Sequence, residues 1–310
     1  MTYPWLESAE AEFAERLHGG RLAHALLLSG PADSGKVELA KRFLASALCL
    51  EDQYPACGAC RSCQLAASGA HPDGHVLTFE EHPKTGDLRK ELVIDQVRRL
   101  TSSLFLTNTI SRRKAALIYP VEAMNRATAN ALLKTLEEPP GEAALILVSS
   151  DPARLPATIR SRCQGLDIRL PGREAAQAWL LQQAGVDAGQ AGLALEAAAG
   201  SPLRALRMME DGGVAEYGSL GETLDGLLDV SPDVPGALAA LSAIDPDRMW
   251  AWISLRAAAE TRAAAAQGRD ARALSQLQRE ADRNRGFART PLRKDLLLQD
   301  WLIQWARLKR

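Results

Sequence analysis

A short segment near the start of the chain has the residues of a phosphate-binding loop. An apolar run at residues 26–29 leads into GPADSGK at residues 30–36, and a helical pattern follows. In such loops the backbone N–H groups converge on phosphate oxygens, the helix N-terminus adds its dipole, and the lysine contacts the β and γ oxygens. A glycine-rich turn without a ligand is the structural alternative. The pattern predicts a phosphate site at Gly30, Gly35 and Lys36.

The magnesium-binding part of such a site is missing. A hydrolysing loop has Ser or Thr directly after the lysine, where its hydroxyl binds magnesium, but this chain has Val37. An Asp and a Glu are expected at the tip of a later strand, and here that tip reads Tyr119-Pro120, with Glu122 further along. The three departures together predict that the chain does not hydrolyse ATP by itself. The alternative is a divergent ATPase that uses Lys36 and Glu122.

Four of the five cysteines could bind one metal ion. They are spaced C-x7-C-x2-C-x2-C, at Cys49, Cys57, Cys60 and Cys63. Thiolates at this density can surround one zinc ion tetrahedrally. No His or acidic residue indicates an open, catalytic coordination position, so the zinc would be structural. An iron–sulfur cluster and unligated thiols are the alternatives, while disulfides are less expected in a cytoplasmic chain.

The first 170 residues alternate between two kinds of segment. Helical patterns such as VELAKRFLASALC and RATANALLKTLEEPP separate short, branched apolar runs that are typical of strands, and these runs lie at residues 24–29, 75–79, 115–119, 143–149 and 165–170. Alternating strands and helices predict an α/β domain with a parallel sheet. After residue 170 the strand patterns end, and the rest of the sequence has the patterns of helices.

Composition and charge narrow the function classes. The chain has 310 residues, of which 46% are hydrophobic and 24% charged, as in an ordinary globular protein. Its acidic start lacks a signal-peptide core and its apolar runs are too short to cross a bilayer, so we expect a cytoplasmic protein without a membrane partner. The overall charge of −1 argues against a DNA-binding protein that acts alone.

The C-terminal segment differs in charge from the rest of the chain. Residues 256–310 contain 13 Lys/Arg and 6 Asp/Glu, a net +7, whereas the remainder has 24 basic and 32 acidic residues, a net −8. A basic segment of this kind can face nucleic acid or an acidic subunit, and a solvated helical surface is the simpler explanation. A zinc-bearing nucleic-acid-binding module therefore remains a further hypothesis.

Three motifs carry a resemblance to a known family. HALLLSGPADSGK, NALLKTLEEPP and ATIRSRCQ, at residues 24–36, 130–140 and 157–164, closely resemble the bacterial clamp-loader branch of the AAA+ ATPases. The resemblance implies an AAA+ domain at residues 1–170 with the zinc module at 49–63. It also implies a small helical lid at 171–212 and a helical collar at 213–310, whose last helix is similar to residues 290–305.

The same resemblance implies a role and partners. In the family, the Ser-Arg-Cys motif carries an arginine finger that reaches a neighbouring subunit's ATP, and the matching residue here is Arg162. A surface arginine in an ion pair is the structural alternative. The implied partners are the motor (gamma/tau) and delta subunits of a clamp loader and, through the complex, the sliding clamp and primer–template DNA. ATP would be bound by the neighbour rather than hydrolysed here.

Overall fold

The chain forms two units. A computed structural model describes residues 3–82, 85–288, 290 and 293–308. The first unit is Met1–Pro171 and the second is Gly172–Arg310. The second unit thus begins two residues after the last predicted strand, which ends at residue 170.

The first unit is built on a parallel sheet of five strands. They are β1 (Ala25–Ser29), β2 (Gly74–Leu77), β3 (Ala115–Ile118), β4 (Ala144–Ser149) and β5 (Gln164–Asp167). Their order in the sheet is β2-β3-β4-β1-β5, and every strand pairs in parallel with its neighbours. The predicted α/β class with a parallel sheet is confirmed, and the strand ends lie within three residues of the predicted ones.

Helices cover both faces of this sheet, because both faces of the central strands are apolar. Leu26 and Leu28 of β1 pack with helices α1 (Glu7–His18) and α2 (Lys36–Leu48). Leu27 points to the opposite face and packs with α4 (Ile94–Leu104) and α5 (Arg126–Glu137). Two short helices complete the unit, α3 (Arg61–Ala67) and α6 (Ala157–Arg160).

A buried ion pair lies where the strands of this sheet begin. The Asp73 carboxylate is fully buried and accepts hydrogen bonds from the N–H groups of residues 109, 110 and 111 at 2.7–2.9 Å. Lys114, 4% exposed, donates to the same carboxylate at 3.1 Å. Burial alone would raise the pKa of Asp73, but these four donors lower it to about 2. The pair fixes the 109–114 segment directly before β3.

The second unit consists of eight helices among the residues that the structure describes. They are α7 (Arg173–Ala184), α8 (Ala188–Ala197), α9 (Pro202–Glu210), α10 (Gly213–Gly226), α11 (Val234–Leu241), α12 (Pro246–Ala266), α13 (Arg272–Gly286) and α14 (Lys294–Ala306). Helix α14 contains the predicted stripe, whose four members are buried: Leu298, Trp301, Leu302 and Trp305. Residues 291–292 of the collar-like segment, and 309–310 of the basic segment, lie outside the described residues.

One apolar core runs through the second unit from α7 to α14. The core contains four buried tryptophans, and the indole N–H groups of three donate to backbone carbonyls, such as Trp252 to Ala197 at 3.0 Å and Trp305 to Leu224 at 2.8 Å. The Trp252 bond joins helices on the two sides of the predicted lid–collar boundary at residue 212, whereas the Trp305 bond lies within the predicted collar. The division into lid and collar stays a prediction.

None of the helices within the described ranges is both long and apolar enough to cross a membrane.

The buried ion pair gives a stability prediction. We expect Asp73→Asn to lower the free energy of unfolding by about 3–5 kcal/mol, because it leaves the buried Lys114 ammonium without its counter-charge. The folded pKa lies near 2 and the unfolded one near 4. The contribution is therefore present above about pH 4 and is lost as the pH falls through about 2. Urea unfolding followed by circular dichroism measures both effects.

Asp167→Asn is the matched control, because Asp167 pairs with Arg169 in an exposed ion pair. We expect this variant to change stability by less than about 1 kcal/mol. Equal losses in the two variants would contradict the assignment of a stabilising role to the Asp73–Lys114 pair.

Candidate functional site

The phosphate-type loop connects β1 to α2, and its two glycines are required by its geometry. A Cβ on Gly30 would lie 2.2 Å from the carbonyl oxygen of Ile168, so only glycine permits this approach of two backbones. Gly35 has φ +85°, in the left-handed region, and a Cβ there would lie 2.7 Å from the Tyr3 ring. Helix α2 begins at the next residue, as the sequence predicts.

Lys36 is turned toward its own loop. Its Nζ donates a hydrogen bond to the Pro31 carbonyl oxygen at 2.8 Å, and the residue is 3% exposed. Burial lowers the pKa of Lys36, and the carboxylates of Glu122, Asp33 and Glu38 oppose that shift. The ammonium group that would contact phosphate is therefore held by a backbone oxygen of the loop.

The positions where magnesium ligands are expected carry apolar packing instead. Val37 and Tyr119 are half-buried and both pack on the apolar cluster shared by β1, α1 and α2. Glu122 accepts a hydrogen bond at Oε1 from the N–H of Ser150 at 2.9 Å, while its Oε2 is buried without a described partner. The only carboxylate of the predicted alternative mechanism thus holds the segment that follows β4.

The four clustered cysteines come together in space. Each offers one sulfur atom, and the four sulfurs lie within 4.8 Å of one another. Helix α2 ends at Leu48, so Cys49 follows its last turn, while Cys60 caps the N-terminus of α3 and Cys63 lies in its first turn. Two amides donate to the sulfurs, from Cys60 to Cys57 at 3.3 Å and from Cys63 to Cys60 at 3.4 Å.

These residues fit a zinc ion. With Zn–S bonds of about 2.3 Å, a tetrahedron has sulfur–sulfur edges of about 3.8 Å. The Cys57 and Cys63 sulfurs lie 3.8 Å apart, and all five cysteines are free thiols. Burial and the hydrogen bond to the Cys60 sulfur raise the pKa of Cys63. For Cys60, burial is outweighed by the hydrogen bonds that its sulfur receives, which lower its pKa to about 6. Crowded thiols of this kind resist joint deprotonation, and a bound cation reverses that balance.

A buried hydrogen-bond network attaches this cysteine module to the sheet. The hydroxyls of Ser62 and Ser111 donate to the Leu48 carbonyl oxygen at 2.5 and 2.8 Å. The His71 ring lies against both hydroxyls, with Nε2 at 2.7 Å from Ser62 Oγ. Its Nδ1 accepts from the Asp73 amide at 3.0 Å, so Nε2 carries the proton. His71 is thus a structural residue of the module and not part of the thiol cluster.

Arg162 lies in the turn after α6, next to the end of α5. Its Nη2 is 2.8 Å from Oε1 of Glu137, and its Nη1 donates to the Thr158 carbonyl oxygen at 3.0 Å. The side chain is 35% exposed, so part of the guanidinium fork faces solvent. None of these described contacts joins Arg162 to a residue of the phosphate-type loop or to one of the four clustered cysteines.

Sequence reasoning located the phosphate-type loop, the cysteine cluster and Arg162, but it missed three sets of polar contacts. The Asp73–Lys114 pair, the His71–Ser62–Ser111 network and the Glu137–Arg162 pair all join residues that are far apart in the chain. The available signal is weak: Lys114 directly precedes the buried run of β3, where an unpaired charge would be costly.

Comparison with known sequences decides the family. A profile described as "DNA polymerase III, delta subunit" matches residues 5–171, more than half of the chain. The chain belongs to this family.

Named relatives agree with the family match. The chain is 43% identical over 219 residues to "DNA polymerase III subunit delta'" of Pseudomonas aeruginosa, a match that covers 68% of this chain and 62% of the relative. It is 35% identical over 212 residues to the Escherichia coli protein of the same name, with 67% and 61% covered. It is also 33% identical over 151 residues to "DNA polymerase III subunit tau/gamma" of Haemophilus influenzae, with 48% and 21% covered. The matches thus span less than two thirds of these relatives' lengths.

The cysteine geometry gives a metal prediction. We expect about one zinc per chain by elemental analysis of the purified protein, and its loss in Cys57→Ser or Cys60→Ser, because three thiolates cannot close the tetrahedron. Cys163→Ser is the matched control, since Cys163 packs on the apolar core of the sheet and should leave the zinc content unchanged. Iron instead of zinc, or zinc retained in both ligand variants, would refute the assignment.

Proposed function

We propose that this chain is the delta-prime-type subunit of a DNA polymerase III clamp loader, one that does not hydrolyse ATP itself. In this role it completes the ATP site of a neighbouring subunit and helps to load the sliding clamp onto primed DNA in the cytoplasm. The family membership and the relatives named delta' and tau/gamma support the assignment to a clamp loader.

One observation carries the non-hydrolysing part of the proposal. The loop lysine is bound to the loop's own backbone, and the two positions expected to bind magnesium carry Val37 and Tyr119. Without a hydroxyl and a carboxylate, the site cannot hold the ion that neutralises charge on the β and γ phosphates. The loop and its helix then serve as scaffold, because α2 still packs on the sheet and ends at the cysteine module.

Arg162 is the residue that we assign to the neighbour's ATP. A guanidinium supplied from another subunit stabilises charge on the γ-phosphate and accelerates hydrolysis by roughly 10³–10⁵-fold in other NTPases. The Glu137–Arg162 pair is partly exposed, with 35% and 48% of the two side chains accessible, so breaking it costs less than about 1 kcal/mol. The guanidinium can therefore exchange this carboxylate for a phosphate.

The proposal implies which partners the chain meets and what the zinc module does. The neighbour with the complete ATP site would be a gamma/tau-type motor subunit, and the delta subunit, the clamp and primer–template DNA would be met in the assembled complex. The zinc module would be structural, holding the end of α2 and the start of α3 together.

The chain alone should not turn over ATP. Glu122 supports the opposite possibility, because its buried Oε2 has no described partner and its charge acts on Lys36. Steady-state ATPase assays on the purified chain separate the two. We expect no turnover above background and no change in Lys36→Ala. Turnover that Lys36→Ala abolishes would establish a working site and sink the non-hydrolysing assignment.

The arginine assignment is tested in the reconstituted complex with motor and delta subunits. We expect Arg162→Ala to remove the contribution of the one site that this chain completes from DNA- and clamp-stimulated ATPase, a loss at that site of about 10³-fold or more. Assembly should be intact by size-exclusion chromatography.

Arg160→Ala is the control, because Arg160 is exposed at the end of α6, two residues before Arg162. It should leave the stimulated rate unchanged. Unchanged activity in Arg162→Ala, or the same loss in both variants, would show that Arg162 does not act on the neighbour's ATP.

A further inference from the structure

The second unit carries an apolar groove that its own helices leave open. Helices α7 to α10 line this groove, which has a volume of about 820 Å³. Leu193 of α8, Leu206 and Met209 of α9 and Val214 of α10 form its apolar surface. Leu193 is 39% exposed and the other three are half-buried, so each contributes apolar surface that the core does not cover.

Gly218, inside α10, lines the groove, and the packing of the unit does not require a glycine at this position. A Cβ added at Gly218 would meet no atom within 4 Å. Gly213 of the same helix is different, since a Cβ there would lie 1.8 Å from the Arg248 guanidinium. Gly221 and Gly226 of this helix are equally open, but of these three only Gly218 lines the groove, where the missing side chain leaves room for a partner to approach the helix backbone. At Gly218 the groove exposes bare helix backbone.

The surroundings of the groove are acidic. Residues 187–247 contain two arginines and no lysine against eleven Asp and Glu. Three of these acids, Asp211, Glu216 and Asp225, pair with Arg248 or Arg256. Two others, Glu210 and Glu222, lie in the wall of the groove, which contains no Lys or Arg. Neither of their carboxylates forms an ion pair with a described residue. A partner that covers the groove must therefore bring apolar and positively charged side chains together.

We propose that this groove binds a basic amphipathic α-helix of a partner protein. Its apolar face would lie on Leu193, Leu206 and Met209, it would approach most closely over Gly218, and its Lys or Arg side chains would pair with the two glutamates. Helices with an apolar stripe commonly bind in grooves of this kind, and methionine side chains adapt to the occupant. The inference does not depend on the proposed role of Arg162.

The test uses the full chain and a synthetic peptide. The probe is a fluorescent helical peptide of leucine and lysine, about 18 residues and so about 27 Å long, with a leucine–glutamate peptide of the same pattern as the charge control. Gly218→Gln places a side chain in the groove. Gly221→Gln is the matched control, because Gly221 is also inside α10 with nothing within 4 Å of its Cβ, but does not line the groove. Both substitutions favour the helix, and thermal unfolding checks that both variants are folded.

We expect saturable binding of the leucine–lysine peptide, weakened about tenfold or more by Gly218→Gln and by less than about twofold by Gly221→Gln. The leucine–glutamate peptide should not bind. Absence of binding to the unsubstituted chain, or equal binding by the two variants, would overturn the proposal. Concentration-dependent self-association that Gly218→Gln abolishes would also overturn it, because the occupant would then be a second copy of this chain.

Discussion

Because the five strands are parallel, the phosphate-type loop and the cysteine module lie at opposite ends of the strands. The carboxyl ends of β1, β3 and β4 lead into the phosphate-type loop, Tyr119 and Ser150. Helix α2 then returns along the sheet for 13 residues, about 20 Å. Its end meets the cysteine module and the Asp73–Lys114 pair where the strands begin. One end of the sheet therefore carries the phosphate-type loop, and the other attaches the cysteine module to the sheet.

At the end of the sheet that carries the phosphate-type loop, the two positions expected to bind magnesium are packed with apolar side chains, while the glycines define the backbone of the loop. The close approach of Gly30 to Ile168 and the left-handed Gly35 maintain the loop, and Lys36 satisfies a carbonyl inside it. Val37 and Tyr119 contribute apolar contacts where a hydrolysing relative needs oxygen ligands. These contacts stabilise the unit, so the loop and α2 have a structural role that does not depend on a nucleotide.

Much of this architecture could be predicted from local spacing in the sequence, whereas the long-range polar contacts could not. Apolar runs predicted all five strands, and the cysteine spacing predicted a cluster because its members lie within fifteen residues. Glu137 and Arg162 are 25 residues apart, and Asp73 and Lys114 are 41 apart, so neither pair leaves a periodic signal. The open groove at Gly218 depends on the packing of four helices, which no local pattern specifies.

The central claim, that Arg162 acts on another subunit's ATP, is tested most directly by its position in the assembly. The measurement is a cryo-electron microscopy structure of the reconstituted clamp loader with a non-hydrolysable ATP analogue. The account predicts that the Arg162 guanidinium has left Glu137 and lies within hydrogen-bonding distance, about 3 Å, of the γ-phosphate bound by the neighbour. An Arg162 still paired with Glu137 and far from any nucleotide would contradict it.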